Sequence, residues 1–186
     1  MNYDKIDNDE LLHLALGAMS GGQDADSIVM LKTLLERDPA NVHGLYLLAA
    51  QHAQMGMVDR AEDGFRSVVT LAPDMAIARF QLGQLLLLKG AVDEASHQLG
   101  QLCSNDDTLG AYARALSAAA NEDIGTAIEE VSSGLALPQE IPALASDMQR
   151  LKDQWRQIGI ESGEFTAAAT QPLASPMFLA GYGREI

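Results

Sequence analysis

Apolar positions along this chain recur at spacings of three and four rather than two, and polar residues fill the opposite face. The stretch Val42 to Met75, VHGLYLLAAQHAQMGMVDRAEDGFRSVVTLAPDM, holds two such runs, parted at Gly56 and closed at Pro73. That is the pattern of two amphipathic helices joined by a short turn. In the second run the apolar residues are Ala61, Phe65, Val68 and Val69, and in the next equivalent run Ala95, Leu99 and Leu102. Each set makes one stripe, so each helix buries one face.

The runs repeat at a fixed distance. Gly22, Gly56 and Gly90 lie 34 residues apart, as do Pro39 and Pro73, and the next position in step, Asp107, falls in a loop-like SNDD run. Small residues keep the same step at Ala15, Ala49, Gly83 and Ser117, and at Ser27, Ala61 and Ala95. Large apolar residues keep it at Leu14, Leu48, Leu82 and Leu116, and again at Leu31, Phe65 and Leu99 and at Leu34, Val68 and Leu102. A period of this length marks a repeat array. The expected divisions are a lead-in at 1–7 and repeats at 8–41, 42–75, 76–109 and 110–138. In the fourth repeat Ala127, Val131 and Gly134 each arrive two residues early, and Asn121-Glu122-Asp123 stands where glycine is expected. Acidic residues at the starts of the second helices (Asp24 and Asp26; Asp59, Glu62 and Asp63; Asp93 and Glu94; Glu122 and Asp123) are expected to cap free N–H groups and favour the helix dipole.

One more helix is expected over 139–158, with Leu144, Met148, Leu151, Trp155 and Ile158 giving a narrow apolar face that closes the stack. Residues 159–186 change character. Pro172, Pro176, Gly181 and Gly183 break any helical period, yet the segment carries Phe165, Leu173, Met177, Phe178, Leu179 and Tyr182. A loose tail is poor in such residues, so Leu173, Met177, Phe178, Leu179 and Tyr182 form a candidate docking segment, for this copy or another, beside the plain reading of a flexible end.

The 34-residue helix–turn–helix resembles the tetratricopeptide repeat, with small residues where the helices touch, glycine in the turn and proline at the end. The resemblance covers about residues 8 to 137. It implies an all-α fold, a right-handed α-solenoid of about four helix–turn–helix repeats with a C-terminal capping helix. It also implies that the first helix of each pair lines a concave wall, through positions two, five, nine and twelve of each repeat. Here those are Asp9, Leu12, Leu16 and Met19; His43, Tyr46, Ala50 and Ala53; Ile77, Phe80, Gln84 and Leu87; and Ala111, Arg114, Ala118 and Asn121. The column Leu12, Tyr46, Phe80, Arg114 sets three apolar side chains in line with one cation and suits an extended or helical peptide with apolar anchors. The alternative is that these positions only pack against neighbouring helices. Members that hold the acidic C-termini of heat-shock chaperones share an inward clamp of Lys, Asn and Arg. No Lys faces inward here, which disfavours that role.

Charge narrows the partners. The chain carries 12 Lys and Arg against 26 Asp and Glu, a net −14, and the basic residues are scattered, which disfavours nucleic acid and anionic lipid. No apolar run approaches the length of a membrane span, none near the start resembles a secretory signal, and a single cysteine, Cys103, fits a reducing compartment. A cytoplasmic protein is expected. His13, His43, His52 and His97 make no metal-ligand spacing, no phosphate-binding glycine loop or nucleophile elbow occurs, and acidic neighbours disfavour a Cys103 thiolate. No enzyme activity, cofactor or metal is expected. The leading expectation is a protein-binding adaptor or client chaperone with its peptide-binding groove at Leu12, Leu16, Met19, His43, Tyr46, Ile77, Phe80, Gln84, Leu87 and Arg114. Two alternatives stay open. One is a self-assembling or autoinhibited protein, a homo-oligomer in the first case, whose tail fills its own or a neighbour's groove. The other is a chaperone resembling those of secretion-system translocators.

Overall fold

A computed structural model describes Tyr3 and residues 6–162, and among these all regular structure is helical. The helices are α1 (Asn8–Ser20), α2 (Asp24–Arg37), α3 (Val42–Gln54), α4 (Val58–Leu71), α5 (Ala76–Leu88), α6 (Val92–Gly100), α7 (Thr108–Ala120), α8 (Ile124–Leu135) and α9 (Pro142–Ser162). This is the helix–turn–helix succession of an α-solenoid. The described chain forms two compact units, one ending at Ala78 and one beginning at Arg79. None of the helices is long and apolar enough to cross a membrane, among the described residues.

In the first unit consecutive helices pack in sequence, and α1 also touches α3. Leu11 and Ala15, Leu31 and Leu34, Ala49, and Ala61, Phe65 and Val68 form its core, each at most 1% exposed. Small residues set the helix spacing. A Cβ on Gly64 would sit 2.7 Å from the Cβ of Ala49, so α3 and α4 approach closer than two side chains allow. The lead-in is partly tied down: the Arg37 guanidinium donates to the Ile6 carbonyl at 2.5 Å and the Tyr3 carbonyl at 2.8 Å.

In the second unit α6 packs on α7, α7 on α8 and α8 on α9. The core takes Phe80, Leu82, Leu85 and Leu86 from α5, Leu99 from α6, Tyr112 and Leu116 from α7, Val131 from α8 and Met148 and Leu151 from α9. Gly134 leaves room for the Tyr112 ring, since a Cβ there would meet its Cε1 at 2.6 Å.

Each first helix ends in the same turn. The N–H groups of Gln23, Met57, Ala91 and Asp123 reach back to the carbonyls of Ala18, His52, Leu86 and Ala118 at 2.8 to 3.0 Å. The residue before each donor is left-handed: Gly22, Gly56 and Gly90 at φ 69, 72 and 75°, and Glu122 at 64°. This is the C-terminal motif in which glycine avoids a steric penalty that a side chain must bear. Glu122→Gly is therefore expected to stabilise the second unit by about 1 kcal/mol, read as a higher urea midpoint at unchanged slope.

Three expectations are corrected. Helix α6 ends early at Gly100, and α7 begins at Thr108 rather than 110. The two missing residues are lost in the α6–α7 connection, so the early arrival of Ala127, Val131 and Gly134 is a shift of the whole fourth helix pair. Asp24 and Asp26, Asp59, and Asp93 and Glu94 lie in the first turns of α2, α4 and α6, where they favour the dipole, but the N-cap positions belong to Gln23, Met57 and Ala91, which make no side-chain cap. Capping falls instead mostly to the first helices, where Asp7, Asn41 and Asp107 accept from the N–H of Glu10, Gly44 and Gly110 at 2.7 to 2.9 Å. Among the second helices α8 is capped, by Asp123, which accepts from the Thr126 N–H at 3.0 Å, and these bonds hold its carboxyl below the usual range. Finally α9 starts at Pro142, a favoured first helical position, and runs to Ser162. Its buried face is wider than the expected stripe and includes Asp147 and Lys152.

Candidate functional site

On α1, Leu12 and Leu16 are half-buried, Met19 is buried and Asp9 is exposed. On α3, His43 is exposed, whereas Ala50 and Ala53 are buried. Tyr46 is 8% exposed, and its ring lies 6.0 Å from that of Phe65, tilted at 56°. That tilted geometry is favourable for aromatic pairs and fixes the tyrosine from behind. The first unit offers half-buried apolar side chains at Leu12 and Leu16 on α1, a helix that touches α3. His52, on the same helix, is a packed residue, its pKa lowered first by burial and then by the charges of Arg60 and Lys32.

On α5, Phe80 is fully enclosed, Gln84 and Leu87 are buried, and Ile77 and Leu88 are half-buried. Arg114 is engaged elsewhere. Its Nε donates to Glu130 Oε2 at 2.9 Å, and its Nη1 to the carbonyls of Cys103 and Asn105 at 2.9 and 3.1 Å. The two-residue shift explains this. Counted from the start of its helix, the fourth counterpart of Phe80 is Tyr112, not Arg114. Tyr112 is fully buried and its hydroxyl donates to Gln139 Oε1 at 3.0 Å. Burial pushes its pKa up to about 12, against the opposing effect of that hydrogen bond. Thus Arg114 binds α7 to α8 and to the preceding loop. The candidate docking residues Leu173, Met177, Phe178, Leu179 and Tyr182 lie outside the described residues.

Four glutamines stand out. Gln51 and Gln81 are at most 1% exposed, and Gln84 is 8% exposed. Neither amide atom of Gln51, Gln81 or Gln84 has a hydrogen-bond partner, nor does Nε2 of Gln54. They form Q-x-x-Q pairs, QHAQ on α3 and QLGQ on α5. An amide buried without a partner costs about 1–3 kcal/mol, so these are costly residues to keep. The repeated Q-x-x-Q is present in the sequence, where only Gln84 is singled out, as a groove position.

No catalytic constellation is assembled from these groups, and no cluster of three or more potential metal ligands occurs among the described residues. Cys103 donates weakly to the Leu99 carbonyl at 3.4 Å.

No family model matches the chain. A curated relative, DnaJ homolog subfamily C member 3 of Bos taurus, is 30% identical over 160 residues, 85% of this chain and 27% of the relative. The chain therefore spans about a quarter of that protein's length. Among solved structures, the P58(IPK) TPR domain is 25% identical with a TM-score of 0.51, covering 84% of this chain and 46% of that one. A thermophilic TPR protein of Thermus thermophilus is 19% identical with a TM-score of 0.63, covering 83% and 84%. The chain belongs to the tetratricopeptide-repeat family, whose arrays are protein-interaction modules.

Proposed function

We propose that this protein is a non-enzymatic adaptor or client chaperone that takes an apolar peptide segment on the wall formed by its first helices. The observation that carries this reading is the surface of the first unit. Leu12 and Leu16 remain half-exposed on α1, which touches α3, the helix that carries the exposed His43 and the Phe65-backed Tyr46. Apolar side chains set among rigid helices can anchor a peptide with little loss of their own freedom. The likeness to a DnaJ homolog supports a client-binding role. The shifted titratable groups His52, Tyr112 and Asp147 owe their shifts first to burial, and Asp123 owes its own to a helix cap. Each is explained without chemistry on a substrate. The proposal rests on the first unit; it does not draw on Phe80, which is enclosed, or on Arg114, whose guanidinium is occupied.

Leu12, Leu16 and His43 can be changed without opening the core. A Leu12→Glu, Leu16→Glu, His43→Glu chain is expected to keep its helicity and melting temperature within a few degrees. It should lose at least tenfold in affinity for its protein partner, because the apolar anchors would meet buried carboxylates. Quantitative capture from the native cell with both chains checks this. Equal recovery of every partner by the two chains would refute the assignment.

A further inference from the structure

The second unit carries an open cavity of about 270 Å³ where the start of α7 meets the connection between α8 and α9. That connection is residues 136–141, ALPQEI, and Pro138 stops α8 from running on through it. Hydrogen bonds hold it in place. The Thr108 hydroxyl donates to the Pro138 carbonyl at 3.1 Å. The Gln139 amide donates to the Gly134 and Leu137 carbonyls at 2.8 and 2.6 Å, and its oxygen accepts from the Tyr112 hydroxyl at 3.0 Å. With its backbone braced in this way the cavity is preformed, so filling it orders little that is loose. It falls just below the roughly 300–1,000 Å³ of sites that enclose a whole small molecule, which suits a single side chain.

Its lining divides by chemistry. Leu144 is buried, Leu109 and Ile141 are half-buried and Leu137 is 37% exposed, giving an apolar interior. The charged residues that line it, Asp106, Asp107 and Glu140, are all exposed and so stand toward solvent. Asp107 already commits one oxygen to the Gly110 N–H. Among the described residues, neither Asp106 nor Glu140 has an ion-pair partner, and no Lys, Arg or His lines the cavity.

These two parts select an occupant. A bare metal ion would find no ligands on leucine and isoleucine, and the carboxylates do not gather into a metal-holding group among the described residues. A wholly apolar side chain would strip water from carboxylates and give nothing back. A long apolar stem that ends in a cation satisfies both parts. Guanidinium suits a half-apolar site better than ammonium, because it is more weakly hydrated and its donors fan out toward several acceptors.

We infer that this cavity takes an arginine side chain of a protein partner, with its stem against Leu109, Leu137, Ile141 and Leu144 and its guanidinium donating to Asp106 and Glu140. The net charge of −14 draws such a basic segment toward the chain. The contact lies wholly within the second unit and is independent of the apolar site on the first.

Amide shifts of the isotope-labelled intact chain, followed by NMR, test it with four probes: N-acetyl-arginine amide, its citrulline and norleucine counterparts, and calcium chloride. Citrulline keeps the shape of arginine without the charge. The arginine compound is expected to give saturable shifts confined to residues 106–110 and 137–144. It should bind at least about fivefold more tightly than either uncharged compound, and lose that margin in high salt. Asp106→Asn, Glu140→Gln changes two exposed side chains and leaves the Asp107 cap in place. That chain should melt like the parent and bind arginine about fivefold more weakly, with citrulline and norleucine unaffected. Absence of saturable shifts, equal binding of citrulline or norleucine, or undiminished arginine binding by the variant overturns the inference. Calcium chloride shifting the same amides to the same extent assigns the carboxylates to an ion and also overturns it. Should the variant melt lower than the parent, the arginine–citrulline comparison on the parent chain decides alone.

Discussion

Replacing Phe65 by alanine is expected to cost about 3–5 kcal/mol, the usual range for truncating a buried phenylalanine. Phe65 is fully buried on α4, in the helix pair where Gly64 and Ala49 bring the two backbones close. That close fit limits collapse around the hole, which places the cost toward the upper end. Small domains hold only about 5–15 kcal/mol in all, so urea unfolding should show an early loss for the first unit. The substitution also removes the ring behind Tyr46. Partner affinity should therefore fall at temperatures where the chain is still folded, although Phe65 itself is enclosed. A shift in urea midpoint equivalent to less than about 1 kcal/mol would show that the α3–α4 contact is not the anchor of that unit.

The second large effect concerns Asp147 on α9. Its side chain is 1% exposed and one oxygen, Oδ2, has no partner, while the other accepts from Arg150, whose side chain is half-exposed. Burial pushes the carboxyl pKa up to about 6, against the lowering influence of Arg150. A carboxyl raised on folding binds more protons in the native state than in the unfolded one between about pH 4 and pH 6. Stability then falls as pH rises through that window and stays lower above it. Two pKa units correspond to about 3 kcal/mol. Asp147→Asn keeps the acceptor for Arg150 and removes the charge. It should raise the melting temperature at pH 7.5 by several degrees, have little effect at pH 4, and flatten the decline between. Thermal melts of both chains across that range would give parallel curves if the carboxylate were well accommodated.

Much of this fold was legible in the residues. Glycine at 22, 56 and 90 announced three left-handed turns, and the columns through Phe65 and Leu99 announced which face of each second helix is buried. A fixed step fails where the chain drops residues. The shortening after Gly100 carried every position of the fourth pair two residues out of register, which is why Arg114 was aligned with Phe80 when Tyr112 is its counterpart. Periodicity also scores polar residues as solvated. That hid Gln51 and Gln81, which are enclosed, and Asp147, which widens the buried face of α9. At the candidate surface the residue types were readable, but their exposure was not. Leu12 and Leu16 are half-exposed and His43 is exposed, whereas Tyr46 and Phe80, which look like anchors by composition, are mostly taken up by packing.

Binding of the intact chain to an array of immobilised peptides, compared with the Leu12→Glu, Leu16→Glu, His43→Glu chain of equal melting temperature, tests the central claim most directly. The expected result is a set of peptides rich in apolar anchors, bound by the parent and released by the variant. If both chains bind the same peptides with the same strength, the first-helix wall is not where this protein meets its partner.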